Sequence, residues 1–264
     1  MNVAYAASQS GASGVEPNVG EVILHHVLDV NLLDLRILGI NFSITKHVVM
    51  MWIAAALLIF IFRFAFREPH MVPSGVANLL EAIIVFLRDE VILPNMGEAG
   101  KRYLPYLLTV FFFILFCNLL GLIPFAATAT GNVSVTAALA LMSLTMIQVG
   151  GIREHGLKHH LQNLVPHGIP VWLLPIMIPV EIMGQFTKPF ALCIRLFANM
   201  TAGHIVILSF LSMIFILKSL FISPISVLFA LFISLLELFV ACLQAYIFTM
   251  LTSLFIGMSI HPQH

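Results

Sequence analysis

Charge is what this sequence has least of. Only 9% of its 264 residues are Asp, Glu, Lys or Arg, against about a quarter in a soluble domain. Between Tyr103 and Ile152 there is none at all. A water-soluble fold cannot hide such a run, so the surrounding solvent must be lipid. Neither sign is in excess: 12 basic and 12 acidic residues cancel, which leaves no basic stripe for nucleic acid. Cysteine is scarce too. Cys117, Cys193 and Cys242 stand singly in apolar stretches, forming neither a CxxC pair nor an even disulfide framework, and read as small packing residues. The opening MNVAYAASQSGASG lacks the basic n-region and apolar core of a signal peptide, so insertion is expected to be directed by the first true span.

What is present is apolar. Hydrophobic residues make up 60% of the chain and the mean hydropathy is +1.05. The fold class expected is an all-α polytopic membrane protein with five transmembrane spans, about 48–66, 104–123, 133–149, 172–217 and 224–258. Each reaches the ~20 residues that a bilayer core requires, or comes close. Residues 1–20 read as a tail and 21–46 as an interfacial segment, ahead of a single membrane domain over 47–264. Within 75–93, Leu79, Leu80, Ile83, Ile84 and Leu87 recur at helical spacing beside Glu81, Arg88 and Asp89. That pattern predicts an amphipathic helix at the interface. Residues 151–170, rich in His, Gly and Pro, read as a polar loop.

The last two spans are too long to stand upright. At 1.5 Å per residue they reach roughly 68 and 52 Å, against a hydrocarbon core of ~30 Å. Either Pro175, Pro179 and Pro189 break the first, or the pair forms a strongly tilted helical hairpin. Basic residues set the orientation. Arg63, Arg67, Arg88, Lys101, Arg102, Arg153 and Lys158 fall on one side, and Arg36, Lys46 and Lys218 on the other. The positive-inside rule puts the larger group in the cytoplasm, with the N-terminus outside and the C-terminus inside.

The hairpin also holds ionisable groups, which are costly in lipid and point to function. Glu181, Lys188 and Arg195 are spaced by seven and share a helix face with Asn199, while His204 lies about half a turn round. Glu237 and Gln244 are again seven apart on the last helix. If the chain turns near residue 220, antiparallel partners have numbers summing to about 440. His204 with Glu237 and Arg195 with Gln244 both meet that condition. His204–Glu237 then lies nearest the outer turn, Arg195–Gln244 next and Glu181 nearest the cytoplasm. Blander readings exist: Lys188 can snorkel, Glu181 can lie beyond the hydrocarbon, and His204–Glu237 can be an inert register pair. Arg195 resists them, because guanidinium does not lose its proton.

The stretch from Thr187 to His204, TKPFALCIRLFANMTAGH, resembles the signature of subunit a of F-type ATP synthases. Asn118-Leu-Leu-Gly-Leu-Ile-Pro124, Asn132-Val-Ser-Val-Thr136 and Glu237-Leu-Phe-Val-Ala-Cys-Leu-Gln244 are similar to the same family. The resemblance implies a non-catalytic subunit with two proton half-channels against a rotating c-subunit ring. Its partners would be that ring, the subunit b stalk and the remaining subunits, in a bacterial inner (plasma) membrane. Arg195 matches the arginine that faces the ring carboxylate and separates the half-channels. Gln244, Asn199, Glu181 and Lys188 also fall on family positions, and His204 and Glu237 match a pair that some bacterial relatives carry exchanged. No cofactor or metal is implied. His155-Gly-Leu-Lys-His159-His160 fits one HxxxHH box of di-iron desaturases, but no second box accompanies it. A proton-coupled secondary transporter is the alternative; it calls for inverted repeats, and no repeat is visible.

Overall fold

The computed structural model describes residues 31–33, 36–37, 40–41, 44–67, 75–123, 128–162, 174–217 and 223–260. The tail expected over 1–20 and the hairpin turn at Phe221 and Ile222 lie outside them. Two short antiparallel ladders come first, β1 (Asn31–Leu33) with β4 (Ile44–Thr45) and β2 (Arg36–Ile37) with β3 (Ile40–Asn41). The interfacial segment therefore carries short strands, in keeping with the extended preference of Ile37, Ile40, Ile44 and Thr45. Thr45, still extended, leads directly into α1 (Lys46–Ala65). Trp52, Phe60 and Phe64 face outward from α1, while Ala54 is buried beside Cys117 and Ala129.

The next region departs from expectation. The amphipathic helix was expected to end at 93 and the second span to begin at 104, but the backbone stays helical almost throughout. It runs through α2 (Val76–Phe86), a π turn (Leu87–Ile92), α3 (Leu93–Met96), a 3-10 turn (Gly97–Ala99) and α4 (Gly100–Gly121). Two residues that read as breakers are accommodated. Pro94 sits in the first turn of α3, where no N–H partner is lost, and Gly97 takes the positive φ of 58° between turns. Packing then favours continuity, for Leu87, Val91, Ile92 and Met96 are all buried in the core.

A 3-10 turn (Ala129–Gly131) precedes α5 (Val133–Gln162), which runs past the polar boundary expected at 151. Its regular path ends instead at Gly156, whose φ of 75° interrupts the helix. Then come α6 (Leu174–Leu217), 44 residues long, and α7 (Ser223–Ile260), 38 residues long. Pro179 and Pro189 lie inside α6 without breaking it, as membrane helices allow when neighbours satisfy the freed carbonyls. The broken-helix alternative is thereby excluded. An unbroken α6 of about 66 Å must tilt strongly in, or project from, a ~30 Å core.

Among the described residues, five helical stretches are long and apolar enough to cross a membrane. Their common core lies where α4, α6, α7 and the π turn meet, around Leu107, Ile114, Leu192, Leu196, Phe248 and Ile256. Large apolar side chains such as Phe190, Leu231 and Phe239 stay exposed outside it, as lipid-facing helices require. Polar contacts identify the two ends. Arg102 Nη1 lies 3.7 Å from Glu154 Oε1, and His155 Nε2 is 2.8 Å from the Ile260 carbonyl. The start of α4, the far part of α5 and the end of α7 therefore share one end, rich in basic residues. The end of α4 and the start of α5 define the other.

Candidate functional site

The polar side chains of α6 and α7 form a ladder between these ends. At the basic end Gln148 Nε2 donates to Gln185 Oε1 at 2.6 Å, and Ser259 Oγ donates to the Ile147 carbonyl at 2.9 Å. One turn along α6, Lys188 places its Nζ 5.2 Å from the centre of the Phe255 ring, a cation–π contact that holds the ammonium against α7. Glu181 belongs to α6 on the basic side of Gln185, but its side chain lies outside the described residues.

Arg195 comes next and is exposed. Around it α6 exposes the small residues Ala191, Ala198 and Ala202, together with Ile194. Among the described residues, no acid is placed within ion-pair distance of this guanidinium. Gln244, expected level with Arg195, is fully buried and accepts a hydrogen bond from Asn199 Nδ2 at 3.0 Å. Asn199 lies one turn beyond Arg195, so the amide pair sits on the side away from the basic end.

His204 and Glu237 meet as their numbering requires, with Nδ1 3.2 Å from Oε1. Glu237 is 3% exposed, and neither of its oxygens accepts an aligned hydrogen bond among the described residues. The contact is an ion-pair approach and not an aligned hydrogen bond. On the opposite side of the ring, His204 Nε2 meets the hydroxyl of Thr128. Thr128 stands at the 3-10 turn beyond α4, so this pair lies towards the end opposite the basic residues. Arg195 stands between the two extremes of the ladder.

Sequence reading missed the residues that seat this pair. Thr128 is a loop threonine with no local pattern, brought to His204 only by tertiary packing. Gly203 lies within the quoted signature, yet its reason is steric: a Cβ there would lie 2.6 Å from Glu237 Oε1. Asn118 joins α4 to α7 by donating to the Ala241 carbonyl at 3.3 Å, and accepts from Thr130 Oγ1 at 2.7 Å. Gly203→Ala is expected to leave assembly intact, since only the flexible end of Glu237 must shift. If the pair carries protons as the resemblance implies, the variant should nevertheless slow proton pumping about tenfold, the lower range of acid–base effects, as the carboxylate is pushed off His204. Unchanged pumping in membrane vesicles would show that this approach is irrelevant.

Three His, Cys, Asp or Glu side chains that could hold a metal do not converge anywhere among the described residues. His155 of the HxxxHH stretch meets the Ile260 carbonyl, and the side chains of His159 and His160 lie outside the described set.

Comparison with known proteins now bears on this geometry. Residues 48–257 match the family model described as ATP synthase A chain. The chain is 50% identical to ATP synthase subunit a 2 of Chlorobaculum tepidum, over 96% of its own length and 76% of the relative's. It is 49% identical to ATP synthase subunit a of Chloroherpeton thalassium, over 91% and 77%. With that of Myxococcus xanthus the identity is 55%, over 85% and 75%. All three relatives are bacterial, and the match takes in every residue of the ladder from Glu181 to Gln244. The chain belongs to the ATP synthase subunit a family, and is a multi-pass membrane-sector subunit of an ATP synthase.

Proposed function

We propose that this subunit forms two proton half-channels against a rotating ring of c subunits and keeps them electrically apart with Arg195. The observation that carries this reading is the outward-facing guanidinium with no counter-ion among the described residues. A permanent cation on an apolar surface is costly unless a partner supplies the anion. The small residues Ala191, Ala198 and Ala202 beside it let another helix approach closely. A ring carboxylate passing Arg195 is stabilised in its ionised form, so it releases its proton there and gains another beyond it.

His204 and Glu237 form the uptake group of the outer half-channel. Asn199 and Gln244 line the approach to Arg195, and Lys188 and Glu181 mark the way towards the cytoplasm. The subunit itself is non-catalytic; ATP chemistry belongs to other subunits, and the subunit b stalk holds it against the ring. Purification through a tag on this chain, from membranes in mild detergent, is expected to retain a c-subunit ring. A secondary transporter would bring down none.

The N-terminus is assigned to the outside and the C-terminus to the cytoplasm of a bacterial inner membrane, with residues 47–264 as one membrane domain. Support comes from seven basic residues on one side against three on the other and from the shared end of Arg102, Glu154 and Ile260. Exposed Glu98 and Ile123 stand near opposite ends of α4. In a background without native cysteines, Glu98→Cys should react from the cytoplasm and Ile123→Cys from outside. Reaction of both from one side would remove the assignment.

A further inference from the structure

The Thr128 hydroxyl lies between two groups. His204 Nε2 is on one side, and the Gly121 carbonyl is 3.5 Å away on the other. The side chain has little freedom to leave this seat. Thr128 is buried, and its own carbonyl accepts the Gly131 N–H at 2.9 Å. Gly121 faces it at close quarters: a Cβ there would lie 2.8 Å from Thr128 Cβ, so glycine alone leaves the seat open.

Both ring nitrogens of His204 thus face polar neighbours, of different kinds. Glu237, when ionised, is an acceptor only, and its charge 3.2 Å from Nδ1 favours the neutral ring that carries its proton there. Nε2 then presents a lone pair to Thr128. A hydroxyl can donate to that lone pair, and it can equally accept from an N–H.

We infer that Thr128 is a positioning residue for His204, a hydroxyl rotor that partners Nε2 in both charge states of the ring. While the ring is neutral, the hydroxyl donates to Nε2. When a proton binds Nε2, one N–H bond forms and donates to Thr128 Oγ1. The hydroxyl keeps its own proton and turns it to the Gly121 carbonyl. No other bond forms or breaks, and loading never leaves two donors facing each other in a buried site. A backbone N–H or a cationic side chain at the same place would suit only one of the two states.

This inference rests on the reading of His204 and Glu237 as a proton-uptake pair, and the test keeps the two separable. Thr128→Val preserves shape without the hydroxyl, and Thr128→Ser preserves the hydroxyl. Both are compared with His204→Ala in the whole complex, in membrane vesicles, by ATP-driven proton pumping. The Val variant should pump about fivefold more slowly, the effect of one lost hydrogen bond, and the Ser variant within about twofold of the parent. The nitrogen resonance of His204 Nε2, assigned by its loss in His204→Ala, should move to the position of an unbonded imidazole nitrogen in Val and stay in Ser. Parental pumping by Val, or equal loss in Val and Ser, overturns the rotor. Parental pumping by His204→Ala overturns the uptake reading beneath it. If the Val complex does not assemble, the parent protein still decides: neutral His204 carrying its proton on Nε2 contradicts the inference.

Discussion

Arg195→Ala is expected to abolish ATP-driven proton pumping while the complex still assembles. The two halves of this result have separate causes. Arg195 is exposed and pairs with no acid among the described residues, so removing it leaves no partner stranded inside the subunit. An intramembrane arginine costs about 2.5–3.5 kcal/mol on insertion scales, so the variant should insert no less readily. Coupling, on the mechanism proposed above, depends on the charge itself. Without a fixed cation, an ionised ring carboxylate has nothing to stabilise it between the half-channels, and protons cross without useful rotation. Arg195→Lys is expected to fail as well, because an ammonium is more compact, offers no planar fork and can lose its proton when desolvated. Assembly is read from co-purified subunits and pumping from acidification of inverted vesicles. Normal pumping by Arg195→Ala would remove the arginine from the mechanism.

Exchange of the outer pair should reveal a coupling that single substitutions hide. His204→Ala or Glu237→Ala removes one titratable group and leaves the other buried, and each should lower proton flux at least tenfold, in the range of lost acid–base groups. His204→Glu places two carboxyls together, and Glu237→His places two imidazoles together. The double variant His204→Glu with Glu237→His restores one of each, now reversed. It is expected to carry more flux than the product of the two single effects predicts, by a factor of about ten, equivalent to ~1.4 kcal/mol of interaction. Geometry limits the recovery, because Thr128 then faces a carboxyl in place of Nε2. Strict additivity would mean that the 3.2 Å approach of His204 and Glu237 has no part in proton transfer.

Much of this arrangement was legible in the chain because the bilayer is an exacting solvent. The uncharged run from Tyr103 to Ile152 could only be buried in lipid, and two apolar stretches of unusual length announced the hairpin. Antiparallel numbering brought His204 to Glu237 because a two-helix hairpin has one free parameter, its turn. The same numbering does not give the hydrogen-bond partner of Gln244, which is Asn199 at 3.0 Å. Depth along two crossed helices does not fix contact between particular side chains. Helix continuity through Pro94, Gly97, Pro179 and Pro189 was not legible either. Local propensity marks these residues as breaks, while around Pro94 and Gly97 burial of Leu87, Ile92 and Met96 outweighs it. Thr128 and Gly203 were invisible as site residues because their roles come from contacts across 76 and 34 positions of chain.

The central claim is that the face bearing Arg195 lies against the c-subunit ring. Cysteine cross-linking in the intact complex tests it most directly. Ile194, beside Arg195 on α6, and Trp52, on α1, are both exposed. In a background without native cysteines, Ile194→Cys is expected to form a disulfide with a cysteine introduced next to the ring carboxylate. That bond should block ATP-driven pumping until it is reduced, whereas Trp52→Cys should form none. Cross-linking from Trp52→Cys with none from Ile194→Cys would contradict the account, placing the ring on a surface that lacks Arg195.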